Sequence, residues 1–321
     1  METEPITLSY PDPKSTRRAA SICSFATVVS VAVSLALQLA FSILRSKLFP
    51  ETEISDNLSL IINMIATDLI AMPLAWLLLL RRVPRYDAAE DGMTKTPLSF
   101  GKVVSYYPCA YVLMMAGALT GRLIGWLLGD GLADVVSEAI MPVSPWVTLL
   151  CVVIVGPIAE ELFFRKAMID RLSGFHPTDA ILLSALLFGL MHGNLTQFLY
   201  AFPLGVLFGI IYYRTQNIGY TILLHIAINA MGGLIPQLVE MWSESVSSFS
   251  EGLGMLVVLF YGQIVIALCV VGLIFLIRRR RQFLPIPTQK LRFRRPFYLN
   301  AGWIVACVLL SGLFILNEIL V

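Results

Sequence analysis

Charge is scarce in this sequence. Only 14% of its 321 residues are Asp, Glu, Lys or Arg, against about 25% in soluble domains. A soluble chain of this length needs a charged surface, so the shortage excludes an ordinary cytosolic enzyme and a disordered chain. A net charge of +2 gives no basic excess for nucleic acid. Paired cysteines are missing too. Cys23, Cys109, Cys151, Cys269 and Cys307 lie far apart, with no C-x-x-C, which excludes a disulfide scaffold and a thiolate metal knuckle. There is no H-E-x-x-H, no G-x-S-x-G and no P-loop, so three common catalytic frameworks are absent.

What fills the chain is apolar: 57% of residues are hydrophobic and the mean hydropathy is +0.79. A bilayer core needs about 20 apolar helical residues to span it. Segments 19–44, 57–80, 103–128, 146–167, 197–213, 220–239, 253–277 and 301–321 read as spans, and the shorter 178–192 as a ninth. The expected fold is an all-α polytopic transmembrane helical bundle of about nine spans, within a range of roughly 8–10. It divides into an N-terminal tail with three spans (1–144), a core (145–240) and C-terminal spans with a basic loop at 278–297.

Lys and Arg accumulate on the cytoplasmic side of membrane proteins. With the N-terminus cytoplasmic, twenty of the 23 Lys and Arg fall in inner segments, and only Arg45 and Lys47 fall in outer loops. The outer loops carry acids instead, among them Asp130, Asp134, Glu138, Glu240 and Glu244. The run from Arg278 to Arg281 reads as a stop-transfer flank. Gly117, Gly121, Gly125 and Gly129 form a small-x-x-x-small ladder, as do Gly205 and Gly209, and both predict close helix packing.

Ionisable groups inside spans cost several kcal/mol and are functional candidates by default. The core holds most of them. Glu161 and Arg165 are i,i+4 and share a helix face, while Glu160 is turned about 100° away. One carboxylate is thus tied and the other left to act. Phe188 and His192 share a face, as do His225 and Asn229. A carboxylate with a histidine can hold and deprotonate water, and paired donors can bind an oxyanion. Glu160, His192 and His225 could equally ligate zinc with a water in the fourth position. These residues alone leave metal-free and zinc-dependent hydrolysis both open. Asp68 and Arg122, inside the second and third spans, have no evident role.

The three patterns, E-E-x-x-x-R at 160–165, F-x-x-x-H at 188–192 and H-x-x-x-N at 225–229, resemble the signature motifs of the CPBP family. These are the CAAX proteases and bacteriocin-processing (Abi) enzymes, which include CAAX prenyl protease 2-like endopeptidases. The resemblance covers about 145–240 and implies an intramembrane endopeptidase of the glutamate type. It implies Glu160 as the base that activates water, His192 as a holder of that water, and His225 with Asn229 as the oxyanion hole. Glu161, Arg165 and Phe188 would support the site, with no cofactor needed and zinc the dissenting option. The implied partners are the lipid bilayer and a membrane-anchored, prenylated or other peptide substrate, with no nucleic acid. The implied location is the bacterial cell membrane. A non-catalytic bacteriocin-immunity or scaffold protein of the same fold, and a proton-relay transporter, are the competing readings. Under the topology above, Glu160 lies toward the cytosolic side, which predicts cleavage near the inner leaflet.

Overall fold

The structure, a computed structural model, describes residues 12–49, 53–85, 99–128, 139–247, 250–279 and 295–320. Lys95, Gly129, Asp130, Asp134, Glu138 and the basic run beyond Arg279 lie outside the described residues. Among the described residues the fold is all-α. Seven helices are long and apolar enough to cross a membrane: α1 (Pro13–Leu48), α2 (Asp56–Arg82), α3 (Phe100–Leu127), α4 (Pro145–Leu172), α6 (Leu195–Thr215), α7 (Ile218–Ser247) and α8 (Glu251–Arg279). Two apolar helices are shorter, α5 (Pro177–Met191) and α9, of which Ala301–Leu316 is the apolar part. The exterior is studded with exposed Leu, Ile, Val and Phe, most densely on α8, as lipid contact requires. This is an integral membrane protein.

Small residues let the helices approach. The buried face of α1 is Ala19, Ala20, Cys23, Ala26, Thr27 and Ser30, and it packs on α9 and α2. A Cβ on Gly117 would lie 2.5 Å from the Leu199 carbonyl, and one on Gly121 would lie 3.0 Å from Thr196. Gly117 and Gly121 of the ladder therefore make the α3–α6 contact. Gly205 and Gly209 do the same for α6 against α5, at 3.0 Å from Ala185 and 2.8 Å from Ile181.

Four stretches wind with i→i+5 hydrogen bonds: Ile65–Ala71, Leu149–Val155, Glu161–Ile169 and Ala230–Leu234. Three of them run into a proline two residues on, at Pro73, Pro157 and Pro236. Proline has no N–H and its ring crowds the carbonyl four residues back, and a wider turn relieves that crowding. Such turns leave carbonyls without helical donors. Gly156 N–H bonds the Cys151 carbonyl, and Pro157 has nothing to offer the next one, Val152. The Asn229 side chain donates to it instead, at 2.9 Å. In the same register Pro236 orphans the Met231 carbonyl, which accepts from the Tyr261 hydroxyl at 3.3 Å. Wide turns of this kind are frequent at functional sites, and all four flank the cavity described next.

Candidate active site

Glu160 is the sixteenth residue of the 28-residue α4, so it sits near mid-helix. A span ending at 167, as the sequence predicts, sets Glu160 toward its inner side; the helix continues to Leu172. That extension also explains how a short α5 brings His192 to the same place. α5 starts five residues after α4 ends and runs back beside it, with Ser184 Oγ donating to the Phe164 carbonyl at 2.7 Å. Counting from that bond at about 1.5 Å per residue, His192 lies only some 6 Å in level from Glu160. The fifth helix, about 22 Å long by the same rise, ends inside the bundle.

Glu160, His192, His225, Asn229 and Phe188 line one cavity of about 820 Å³, within the size range of ligand sites. Glu161 and Arg165 stand behind its wall. Both are fully buried, with Arg165 Nη1 3.3 Å from Glu161 Oε1. The guanidinium also lies 4.3 Å over the Phe188 ring and 5.7 Å over Phe208. Phe188 in turn meets His192 and His225 edge-to-face, at 5.0 and 5.8 Å between ring centres. One aromatic ring thus contacts the buried cation and both imidazoles.

The imidazole of His225 bridges the two glutamates. Its Nδ1 is 3.0 Å from Glu161 Oε1 and its Nε2 is 3.5 Å from Glu160 Oε2. Glu161 paired with Arg165 is a carboxylate and can only accept, so Nδ1 carries the hydrogen. In the neutral ring Nε2 is then a lone pair facing Glu160. His192 is fixed likewise: its Nδ1 lies 2.8 Å from the Phe188 carbonyl, which only accepts, and this leaves Nε2 as the acceptor. Asn229 is anchored by its bond to Val152, but a carboxamide has two N–H donors, and one remains.

The expected pairing of Glu161 with Arg165 is present, and Glu161 has a second partner that spacing did not reveal, His225 from 64 residues away. The expected like-facing of His225 and Asn229 holds in that both line the cavity, though one bonds carboxylates and the other a backbone carbonyl. Among the described residues, no three His, Cys, Asp or Glu side chains are placed together to hold a metal ion. Glu160, His192 and His225 share the cavity without forming such a group.

Opposite this wall stands a second polar surface. Ser34 and Thr67 hydroxyls meet at 2.6 Å, and Gln38 bonds Ser34 at 2.9 Å and Asn63 at 3.1 Å. Asp68 belongs to it. It lines the cavity, and its Oδ2 approaches α4 at Gly156, one turn from Glu160. The sequence marked Asp68 as a charge in a span, and the structure brings it to the site.

Residues 142–231 match the family model described as type II CAAX prenyl endopeptidase Rce1-like. The chain is 29% identical over 158 residues to "Putative membrane peptidase YdiL" of Bacillus subtilis (strain 168). It is 30% identical over 99 residues to "UPF0177 protein YbdJ" of Lactococcus lactis subsp. lactis (strain IL1403). These alignments cover 48% and 30% of this chain, and 63% and 42% of those proteins. No solved structure matches. The three motifs are gathered at one intramembrane cavity, and the residues that enclose all of them are the ones similar to the Rce1-like family of type II CAAX prenyl endopeptidases.

Proposed function

We propose that this protein is an intramembrane endopeptidase that hydrolyses a peptide bond of a membrane-associated protein or peptide, with water activated by Glu160. The observation that carries this is the asymmetry of the glutamate pair. Glu161 is sealed at 0% side-chain exposure between Arg165 and His225, whereas Glu160 keeps 16% and faces the cavity. One carboxylate is consumed in holding the site and its neighbour is open to water.

In this reading a water hydrogen-bonded to His192 Nε2 gives its proton to Glu160 as its oxygen attacks the scissile carbonyl. The tetrahedral oxyanion is met by the second N–H of Asn229. It is also met by His225 Nε2, 3.5 Å from Glu160, once Glu160 has passed the proton it took from water to that nitrogen. Glu161 stabilises that imidazolium through Nδ1. The proton then passes to the leaving amine, the C–N bond breaks, and a carboxylic acid and an amine are released. No metal is needed at any step. Lipid and an anchored peptide are the partners this implies.

The test is cleavage of a membrane-peptide library by protein purified in detergent, read by mass spectrometry, with Glu160→Gln alongside. Cleavage products from the wild type that disappear in the variant are expected. Equal cleavage by both would remove Glu160 from the chemistry and the reading with it.

A further inference from the structure

The cavity belongs to one end of the bundle, and bonds between helices show which. Ser144 N–H bonds Asn57 at 2.7 Å and Gln237 bonds the Ile140 carbonyl at 2.9 Å. The start of α2, the start of α4 and the later part of α7 therefore lie together. Gly121 packs on Thr196, and Ser243 bonds the Gly254 carbonyl, which adds the end of α3 and the starts of α6 and α8. At the opposite end Arg171 bonds the Leu80 carbonyl at 2.7 Å and Gly302 bonds Ser21 at 3.0 Å. Arg279 bonds Ser105, and Tyr212 bonds Asp170, both at 2.5 Å.

Most helices enter the cavity wall through the half that leads to the first of these ends, and α7 lines it across its middle, from His225 to Pro236. The wall takes Val31–Gln38 from α1, Leu60–Asp68 from α2, Tyr111–Arg122 from α3 and Cys151–Glu160 from α4. Its rim includes Ile140, Gly193 and Pro236. Glu160, His225 and Phe188 form the floor. Leu35 of α1 and Leu119 of α3 line the wall and are 48% and 59% exposed, so the cavity is open to lipid beside them.

The charges divide by the same ends. Lys14, Arg17, Arg18, Arg81, Arg82 and Arg85 stand at the floor end, as do Lys102, Arg214, Arg278, Arg279 and Arg295. The sequence continues that series with Arg280 and Arg281. The cavity end has Arg45, Lys47 and Arg122 among Glu53, Asp56, Glu240, Glu244 and Glu251. Basic short loops stay in the cytoplasm, so the floor end is cytoplasmic and the mouth is not.

We infer that the active-site cavity opens to the extracytoplasmic face and that its substrate is an exported, membrane-inserted peptide that reaches the site from the outer half of the bilayer. The substrate half of this rests on the peptidase reading above; the orientation does not. It replaces the expectation of inner-leaflet cleavage. That expectation rests on Glu160 lying toward the cytosolic side of its span, and spacing does not tell which way the cavity runs. A lipidated protein presented from the cytosol would meet the closed, basic end.

The test places single cysteines in a background with the five native cysteines replaced, and treats intact cells with a membrane-impermeant maleimide. Glu53→Cys at the mouth and Asn63→Cys on the cavity wall are expected to label in intact cells. Arg85→Cys is expected to label only after permeabilisation. The reverse pattern overturns the inference. Should the cysteine-replaced protein fail to accumulate, alkaline phosphatase fused after residue 53 or after residue 85 of the native sequence reads the same question. Activity only at 53 supports the inference, and activity only at 85 overturns it. A peptide cut by right-side-out vesicles but spared by sealed inverted ones then supports the substrate half, and the converse contradicts it. Since labelling and fusion need no catalysis, a failed peptidase reading and a failed orientation give different results.

Discussion

The two ends of the bundle use their polar groups in opposite ways. At the basic end they are bound to one another. Lys166 meets Asp170 at 3.0 Å and the Tyr212 hydroxyl at 3.1 Å, and Tyr212 closes the triangle on Asp170. Tyr298 bonds Asp179 at 3.2 Å, and Asp179 also pairs with His176 at 2.9 Å. Toward the other end the same helices part, and Glu160, Asp68 and His192 are left facing open volume. Between the two lies the Arg165–Glu161–His225 relay, buried like the first set but ending on a group of the second. Unsatisfied polar groups in a membrane interior are costly, so a protein keeps them where they act and locks them where they do not.

Substitutions at the two ends should separate accordingly. The largest effect is expected from Glu160→Gln. Loss of a general base typically costs about 10²–10⁴ in rate, while thermal unfolding in detergent should change little, because Gln keeps a polar group facing His225 Nε2 and leaves the Arg165–Glu161–His225 contacts in place. Arg165→Met should act on stability first. It strands Glu161 as a buried, unpaired carboxylate at a cost of about 3–5 kcal/mol. Adding Glu161→Gln should recover much of that, and an unfolding double-mutant cycle measures the coupling. Asn229→Ala straddles the comparison. It should lower turnover by about 10²–10³ through the oxyanion and stability by about 1–3 kcal/mol through the orphaned Val152 carbonyl, both readable on one preparation. Tyr212→Phe should be the mildest. It removes the two hydrogen bonds of the hydroxyl in the basic-end triangle, about 1–2 kcal/mol together, and leaves turnover as it was. A Tyr212→Phe variant that lost activity with its stability intact would show that the two ends are not separate.

Much of this was legible in the sequence, for identifiable reasons. The helices were visible because a bilayer demands long uncharged runs, and the site residues because i,i+4 spacing puts Glu161 with Arg165 and Phe188 with His192. The glycine ladder announced the α3–α6 contact. Three things were not legible. The bond from His225 to Glu161 crosses 64 residues, and nothing local signals it. The attachment of Asn229 to Val152 depends on the shift to i→i+5 winding before Pro157. Pro157 was in view, but the carbonyl it would orphan depends on the winding. The direction of the cavity required knowing which halves of the helices part. Periodicity locates faces and is silent about halves. Asp68 was the intermediate case, conspicuous as a charge in a span yet without a partner until α2 was placed beside Gly156.

The central claim is that Glu160 activates water and does not itself attack. Hydrolysis of a library-derived peptide by excess enzyme in H₂¹⁸O, limited to a single turnover in the presence of a chelator, tests it directly. The account predicts full cleavage under chelation, with one ¹⁸O in the new carboxyl terminus from the first turnover and none in the enzyme. Cleavage abolished by the chelator and restored by zinc would contradict it, as would a first-turnover product free of ¹⁸O with the label found on Glu160.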